Sequence, residues 1–211
     1  MSSPCLVAEW GGAVEVDALS RVRHGTRRRH RQLDRESSLA RLAFANCSLT
    51  EYRAALVPLA RAYARADAIL VAAEAHRPTG VAPYRARSPL IGGALSALGD
   101  FSSGPVRSGA DRAIDNTAAY LGCRYVLDGA QFGHLVIARA LASSEVAATL
   151  PASALSFWRT RFLATEDWRS LCRRLMNMPT RSSAAAATIA ARYMFDLFQS
   201  CFAEAASEEG H

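Results

Sequence analysis

Asp17–Ser37, DALSRVRHGTRRRHRQLDRES, is the stretch on which the reading of this chain turns. Wound at 3.6 residues per turn, it places His30 on one stripe with Leu19, Val22, Arg23 and Thr26 behind it and Leu33 and Ser37 ahead. Arg27, Arg28, Arg29 and Arg31 fall on the other side. A nitrogen ligand on a half-apolar face, with a cation two turns before it, suits a flat apolar molecule that has a metal centre and acidic edges. Seven residues of ideal helix span about 10 Å, which sets Arg23 at the distance of such an edge from a metal held by His30.

Outward from this stretch the chain reads as helix throughout, and the expected fold class is all-α. Alanine, leucine and arginine, all strong helix formers, dominate. The first helix is expected over Asp17–Leu42 with a break near Ser37–Ser38. Ser48-Leu-Thr-Glu51 is a capping box opening a second helix to about Glu74. Arg77–Arg87, with Pro78, Gly80 and Pro83, reads as a loop. Further helices are expected near Pro89–Leu98, from about Ala110 to Ala142, around Ser153–Phe162, over Glu166–Asn177 with Thr165 as cap, and from about Ser183 to Ala205. Residues 1–16 read as a loose arm, 17–205 as one domain and 206–211 as a disordered tail.

Composition narrows the function classes. In 211 residues, half are hydrophobic and about a fifth charged, as in an ordinary globular protein. No apolar run approaches the roughly 20 residues that span a bilayer, and no secretory leader is visible, so the expected setting is the cytoplasm. Five widely spaced cysteines without a C-x-x-C pair favour reduced thiols over a disulfide frame or zinc site. The net charge of +6 rests on arginine, since the chain has no lysine. The arginines are spread along the whole chain with no recognition module, which argues against nucleic acid.

Gly129 and Gly133 sit inside the expected 110–142 helix, where glycine costs about 0.5–1 kcal/mol relative to alanine. Four apart, they share a face and open a notch to the backbone. Either a neighbouring helix packs into it, or a planar ligand lies against it. Joined to His30, the second reading gives a haem held between a histidine and bare main chain.

Three segments resemble the haem oxygenase family, particularly the bacterial enzymes found beside phytochromes. They are Arg23-x-x-Thr26-x-x-x-His30-x-x-Leu33-Asp34, Tyr125-Val-Leu-Asp-Gly129-Ala-Gln-Phe-Gly133, and Trp168-Arg169-Ser-Leu171-Cys-Arg173-Arg-Leu-Met176-Asn177. The resemblance implies His30 as iron ligand and Gly129 and Gly133 as the catalytic distal segment. It implies Arg169 and Arg173, with Arg23, as cations for the propionates, and Thr26, Tyr125, His134 and Phe195 as further haem contacts. His134 stands where the family usually has a glycine, and Ala130 where animal-type members have an aspartate.

The resemblance also implies that haem is both cofactor and substrate, opened with O2 and external electrons to biliverdin, carbon monoxide and ferrous iron. No G-x-G-x-x-G motif is present, so the reductant is expected from outside, a ferredoxin or an NADPH-dependent reductase. The arginine-rich back of the first helix suits an acidic redox partner, and a bacteriophytochrome is the implied bilin acceptor. Arg27–Arg29 and Arg31 are expected to disfavour a charged His30 by repulsion. Two other readings stay open. One is a non-catalytic haem or electron-transfer protein with His30 and His134 both on the iron, and the other is a helical interaction protein that binds no haem.

Overall fold

A helix needs its first backbone N–H groups satisfied, and the side chains that do this mark the boundaries here. The structure is a computed structural model that describes residues 17–99 and 111–209, so the expected arm over 1–16 lies outside the described residues. Asp17 accepts the Ser20 N–H at 2.8 Å and opens α1, Ala18–Glu36. The chain turns extended at Ser37 and resumes as α2, Leu39–Leu42, so the break falls where the sequence places it. Ser48 and Glu51 form both bonds of the capping box at the start of α3, Leu49–Ala72.

Pro58 lies inside α3. It has no N–H, so the Ala54 carbonyl loses its helical donor. The Ser38 hydroxyl, from the turn before α2, donates to that carbonyl at 3.1 Å. A loop led by a 3-10 turn at Glu74–His76 reaches α4, Ser88–Ala97, which ends before Gly99 at φ +79°.

Asn116 accepts the Ala119 N–H at 2.9 Å, and α5 spans Thr117–Ala142. Residues 111–116 are not helical, so α5 begins later than the expected Ala110. Two short helices, α6 (Glu145–Thr149) and α7 (Ser156–Arg159), bracket Pro151. Then come α8, Thr165–Met176, with Ala164 rather than Thr165 at the cap position, and α9, Arg181–Glu209. α9 runs on through most of the expected 206–211 tail.

The architecture is all-α, with α9 as its spine. α1, α3 and α5 all lie along it, and α8 packs against both α1 and α5. Gly25 faces Thr188 and Arg192, and Arg29 pairs with Asp196 at 2.6 Å, so α1 and α9 run in the same direction. On the other flank an added Cβ at Gly122 would stand 2.1 Å from the Ala187 carbonyl oxygen. Glycine is required there because the α5 and α9 backbones touch. No helix among the described residues is long and apolar enough to cross a membrane, and the four described cysteines are free and buried.

Candidate functional site

His30 projects from α1 with its side chain 62% exposed, and its Nδ1 lies 2.7 Å from the Asp34 carboxylate one turn on. Phe195 of α9, itself buried, meets the imidazole edge-on at 5.6 Å between ring centroids. One ring nitrogen is thus engaged and the ring's tilt is set by a rigid neighbour, while Nε2 has no hydrogen bond among the described residues. A carboxylate on one nitrogen orients an imidazole for metal ligation by the other. Asp34 also corrects an expectation. Its hydrogen bond and charge raise the His30 pKa above the ordinary 6.5, and the arginines expected to lower it do not dominate. Arg29 is instead engaged by Asp196.

α5 has two unlike faces. Leu127, Asp128, Gln131, His134, Ile137 and Leu141 are buried. Phe132, Leu135 and Val136 are 50%, 46% and 53% exposed, and an added Cβ at Gly133, between them, would meet nothing within 4 Å among the described residues. Gly92 and Gly93 of α4 are equally open, so openness alone decides little. What sets Gly133 apart is the large apolar flank around it, a kind of surface that marks binding sites when exposed.

Gly129 differs. A Cβ there would lie 3.4 Å from the far ring edge of Trp168, on α8. That indole stacks on Tyr125 at 5.6 Å and 28° and meets Phe132 edge-on at 5.4 Å. Arg23 of α1 stands beside the Tyr125 hydroxyl, and although burial raises that phenol's pKa, the guanidinium holds the rise back. Arg23, Tyr125 and Trp168 therefore tie α1, α5 and α8 together. Of the two alternatives for the notch, a neighbouring side chain occupies the Gly129 end, and the Gly133 end stays open.

The remaining candidates scatter. Thr26 is buried and its hydroxyl donates to the Val22 carbonyl at 2.8 Å, so it offers no polar group to a ligand. Arg169 and Arg173 are exposed on α8 and both reach Glu166, at 3.3 and 2.8 Å. Arg173 also lines a cleft of about 660 Å³ with Pro78, Thr117 and Asn177.

His134, expected at the cofactor, is instead enclosed in the core. Its Nε2 is 3.2 Å from the Tyr63 hydroxyl, and Phe157, Trp158 and Phe162 surround the ring. Burial, aided by the nearby Arg87 charge, pushes its pKa down to about 3. It points about a quarter-turn from Gly133, so it does not face the open flank that an iron shared with His30 would need.

A buried ionic cluster beneath α5 escaped the sequence reading. Asp128 accepts from Arg87 at 2.9 Å and from Arg124 at 2.7 Å, all three nearly inaccessible. Arg87 also donates to the Leu127 carbonyl. Asp67 accepts the Arg87 and Ser88 N–H groups at 2.9 and 2.7 Å and the Tyr84 hydroxyl at 2.6 Å. The available signal was Arg124, Asp128, Gln131 and His134 at spacings of four, three and three on one face of an otherwise apolar helix. Gln131 completes that stripe by accepting the Leu163 N–H at 3.3 Å.

His30, the Gly133 flank and Arg23 have the chemistry that a haem needs, namely one oriented imidazole, an apolar backbone seat and a cation, whereas Arg169 and Arg173 are held by Glu166. No family model matches the chain, and no curated protein sequence matches it. Among solved structures, the NO- and CO-bound haem oxygenase of Neisseria meningitidis is similar to it. The TM-score is 0.63 at 17% identity, covering 90% of this chain and 92% of that one. At that identity the likeness is one of fold, and the fold of this chain is that of a haem oxygenase.

Proposed function

We propose that this protein is a haem oxygenase, binding haem with His30 on the iron and opening the ring to biliverdin and carbon monoxide with release of ferrous iron. The observation that carries the reading is the His30 imidazole, fixed at Nδ1 by Asp34 and presenting Nε2, on a fold shared with a haem oxygenase over 90% of the chain. Bound haem supplies both the iron at which O2 is activated and the ring that is cleaved, with electrons from an external reductant.

The chain's own residues supply orientation. Phe195 holds the tilt of His30, and His30 must be neutral to ligate. The exposed apolar flank at Phe132, Leu135 and Val136 excludes water from one face of the ring, and Gly133 adds no bulk there. Arg23, Arg169 and Arg173 hold the propionates by charge-assisted hydrogen bonds and so set the ring's rotation. For the latter two this means exchanging Glu166 for a propionate.

An acidic redox protein is the proposed electron donor. An open cleft on the outer side of α1, lined by His24, Arg27, Arg28, Arg31 and Arg35, suits it, because opposite charge accelerates encounter. The resemblance to phytochrome-associated enzymes supports a bilin-binding photoreceptor as acceptor of the product.

The test is haemin titration of the full chain, followed by turnover with ascorbate or ferredoxin. Expected are one haem per chain, a ferrous carbon monoxide complex, and bilin absorbance on turnover. His30→Ala should lose the ligand-dependent spectrum. Haemin without defined stoichiometry, or a spectrum unchanged in His30→Ala, would overturn the reading.

A further inference from the structure

Two glycines one turn apart offer a planar ligand two seats on α5, and the structure treats them differently. At Gly129 the backbone already has a neighbour, since the outer edge of the Trp168 indole comes within 3.4 Å of where a Cβ would stand. At Gly133 there is none among the described residues. The indole is in contact with rings of α5. Tyr125 stacks on one face, Phe132 abuts its edge, and Arg23 stands at the hydroxyl of Tyr125. Moving Trp168 aside would break an aromatic contact on each side of it, each a favourable interaction beyond simple burial.

We propose that Trp168 is a specificity-determining residue that closes the Gly129 half of the notch. A planar tetrapyrrole is then seated over Gly133 and the Phe132–Leu135–Val136 flank in one orientation only. This rests on the haem-binding reading above and adds to it the seat and the side chain that enforces it. The seat determines which edge of the ring lies toward the Trp168 stack and which toward the open end of α5, and hence which ring positions are sheltered.

Four variants titrated with haemin test this, with cyanide-complex proton NMR of the haem methyl groups as the readout of seating. A methyl added at Gly133 enters the seat, so Gly133→Ala should weaken haemin binding by about tenfold or more while the apoprotein melts no lower than wild type. A methyl added at Gly129 meets only the indole at an ordinary contact distance, so Gly129→Ala should bind within about threefold of wild type.

Trp168→Phe retains a ring to stack on Tyr125 but lacks the outer indole atoms that reach Gly129. It should fold as wild type does yet show a second set of haem methyl resonances. Adding Gly129→Ala to Trp168→Phe should remove that second set.

Equal sensitivity at the two glycines in the wild-type background would overturn the proposal, as would a single unshifted methyl set in Trp168→Phe, while leaving the haem reading standing. Failure of the wild-type chain to bind haemin would overturn that reading and this one together.

Discussion

The Nδ1 of His30 and the carboxylate of Asp34 lie 2.7 Å apart, one helical turn from each other on α1. This contact does two opposed things to the imidazole. It orients the ring, and it raises the ring's affinity for a proton above the ordinary level. Asp34→Asn should therefore move the His30 titration in the apoprotein to lower pH, measured by NMR of the ring protons. The same variant should bind haemin about 10–100-fold more weakly, the usual cost of losing a ligand's carboxylate partner. An unshifted His30 titration would show that Asp34 is not the partner that matters.

At Gly122 the backbone of α5 comes up against the Ala187 backbone of α9. An alanine at 122 would meet three backbone atoms of Ala187 at 2.1–2.9 Å, and backbone cannot rotate away as a side chain can. Gly122→Ala should cost about 3 kcal/mol or more, a fall in Tm of roughly 6–12 °C for a chain of this size. Calorimetry of the apoprotein checks it. Gly133→Ala is the control, with an expected gain of about 0.5–1 kcal/mol from helix propensity.

Ser38 and Pro58 are coupled through a carbonyl that belongs to neither. In the wild type the Ser38 hydroxyl serves the Ala54 oxygen at 3.1 Å because Pro58 has no N–H to offer. Ser38→Ala should cost about 1 kcal/mol. In a Pro58→Ala background a helical N–H reaches the same oxygen, and Ser38→Ala should then cost a few tenths at most. Urea unfolding of the four proteins in this cycle gives the coupling, and additive effects would refute the connection.

His134 makes stability depend on acid. In the folded chain its pKa lies near 3, against 6.5 ordinarily, so between those values the unfolded chain binds a proton that the folded chain refuses. The contribution of neutral His134 is complete above pH 6.5 and is lost as pH falls toward 3. At the steepest, one such proton changes stability by about 1.4 kcal/mol per pH unit. His134→Gln, which keeps a hydrogen-bonding group for Tyr63, should flatten the fall in Tm between pH 6.5 and 4. An unchanged slope would assign the acid sensitivity to other groups.

Much of the secondary structure was legible because its signals are local. Asp17 and the Ser48–Glu51 box sit within one turn of the groups they cap, and Gly99 ends α4 within a residue or two of where it stands. Starts that depend on a weaker local signal went astray. α5 waits for Asn116 although the residues before it carry no strong breaker. α9 outlasts its expected end because Phe202 and Ala205, buried against the core, hold its last turns in place.

The site divides in the same way. That His30 lies one turn before Asp34, or that Gly129 and Gly133 share a face, is a consequence of helix pitch alone. Helix pitch does not say how a helix is rotated against its neighbours. Sequence could not tell that Thr26 turns inward, that His134 is caged by Tyr63 and Phe157, or that Arg87, 41 residues from its partner Asp128, is buried opposite it.

By itself, then, the amino-acid order determined an all-helical chain, the placement of most of its helices, and which side chains within each helix share a face. Those are properties of hydrogen bonds and side chains within a few residues of one another. Only tertiary structure decided that Trp168 reaches across from α8 to Gly129 while Gly133 stays bare. Contacts between helices far apart in the chain depend on how every layer packs against α9, and no local rule encodes that rotation.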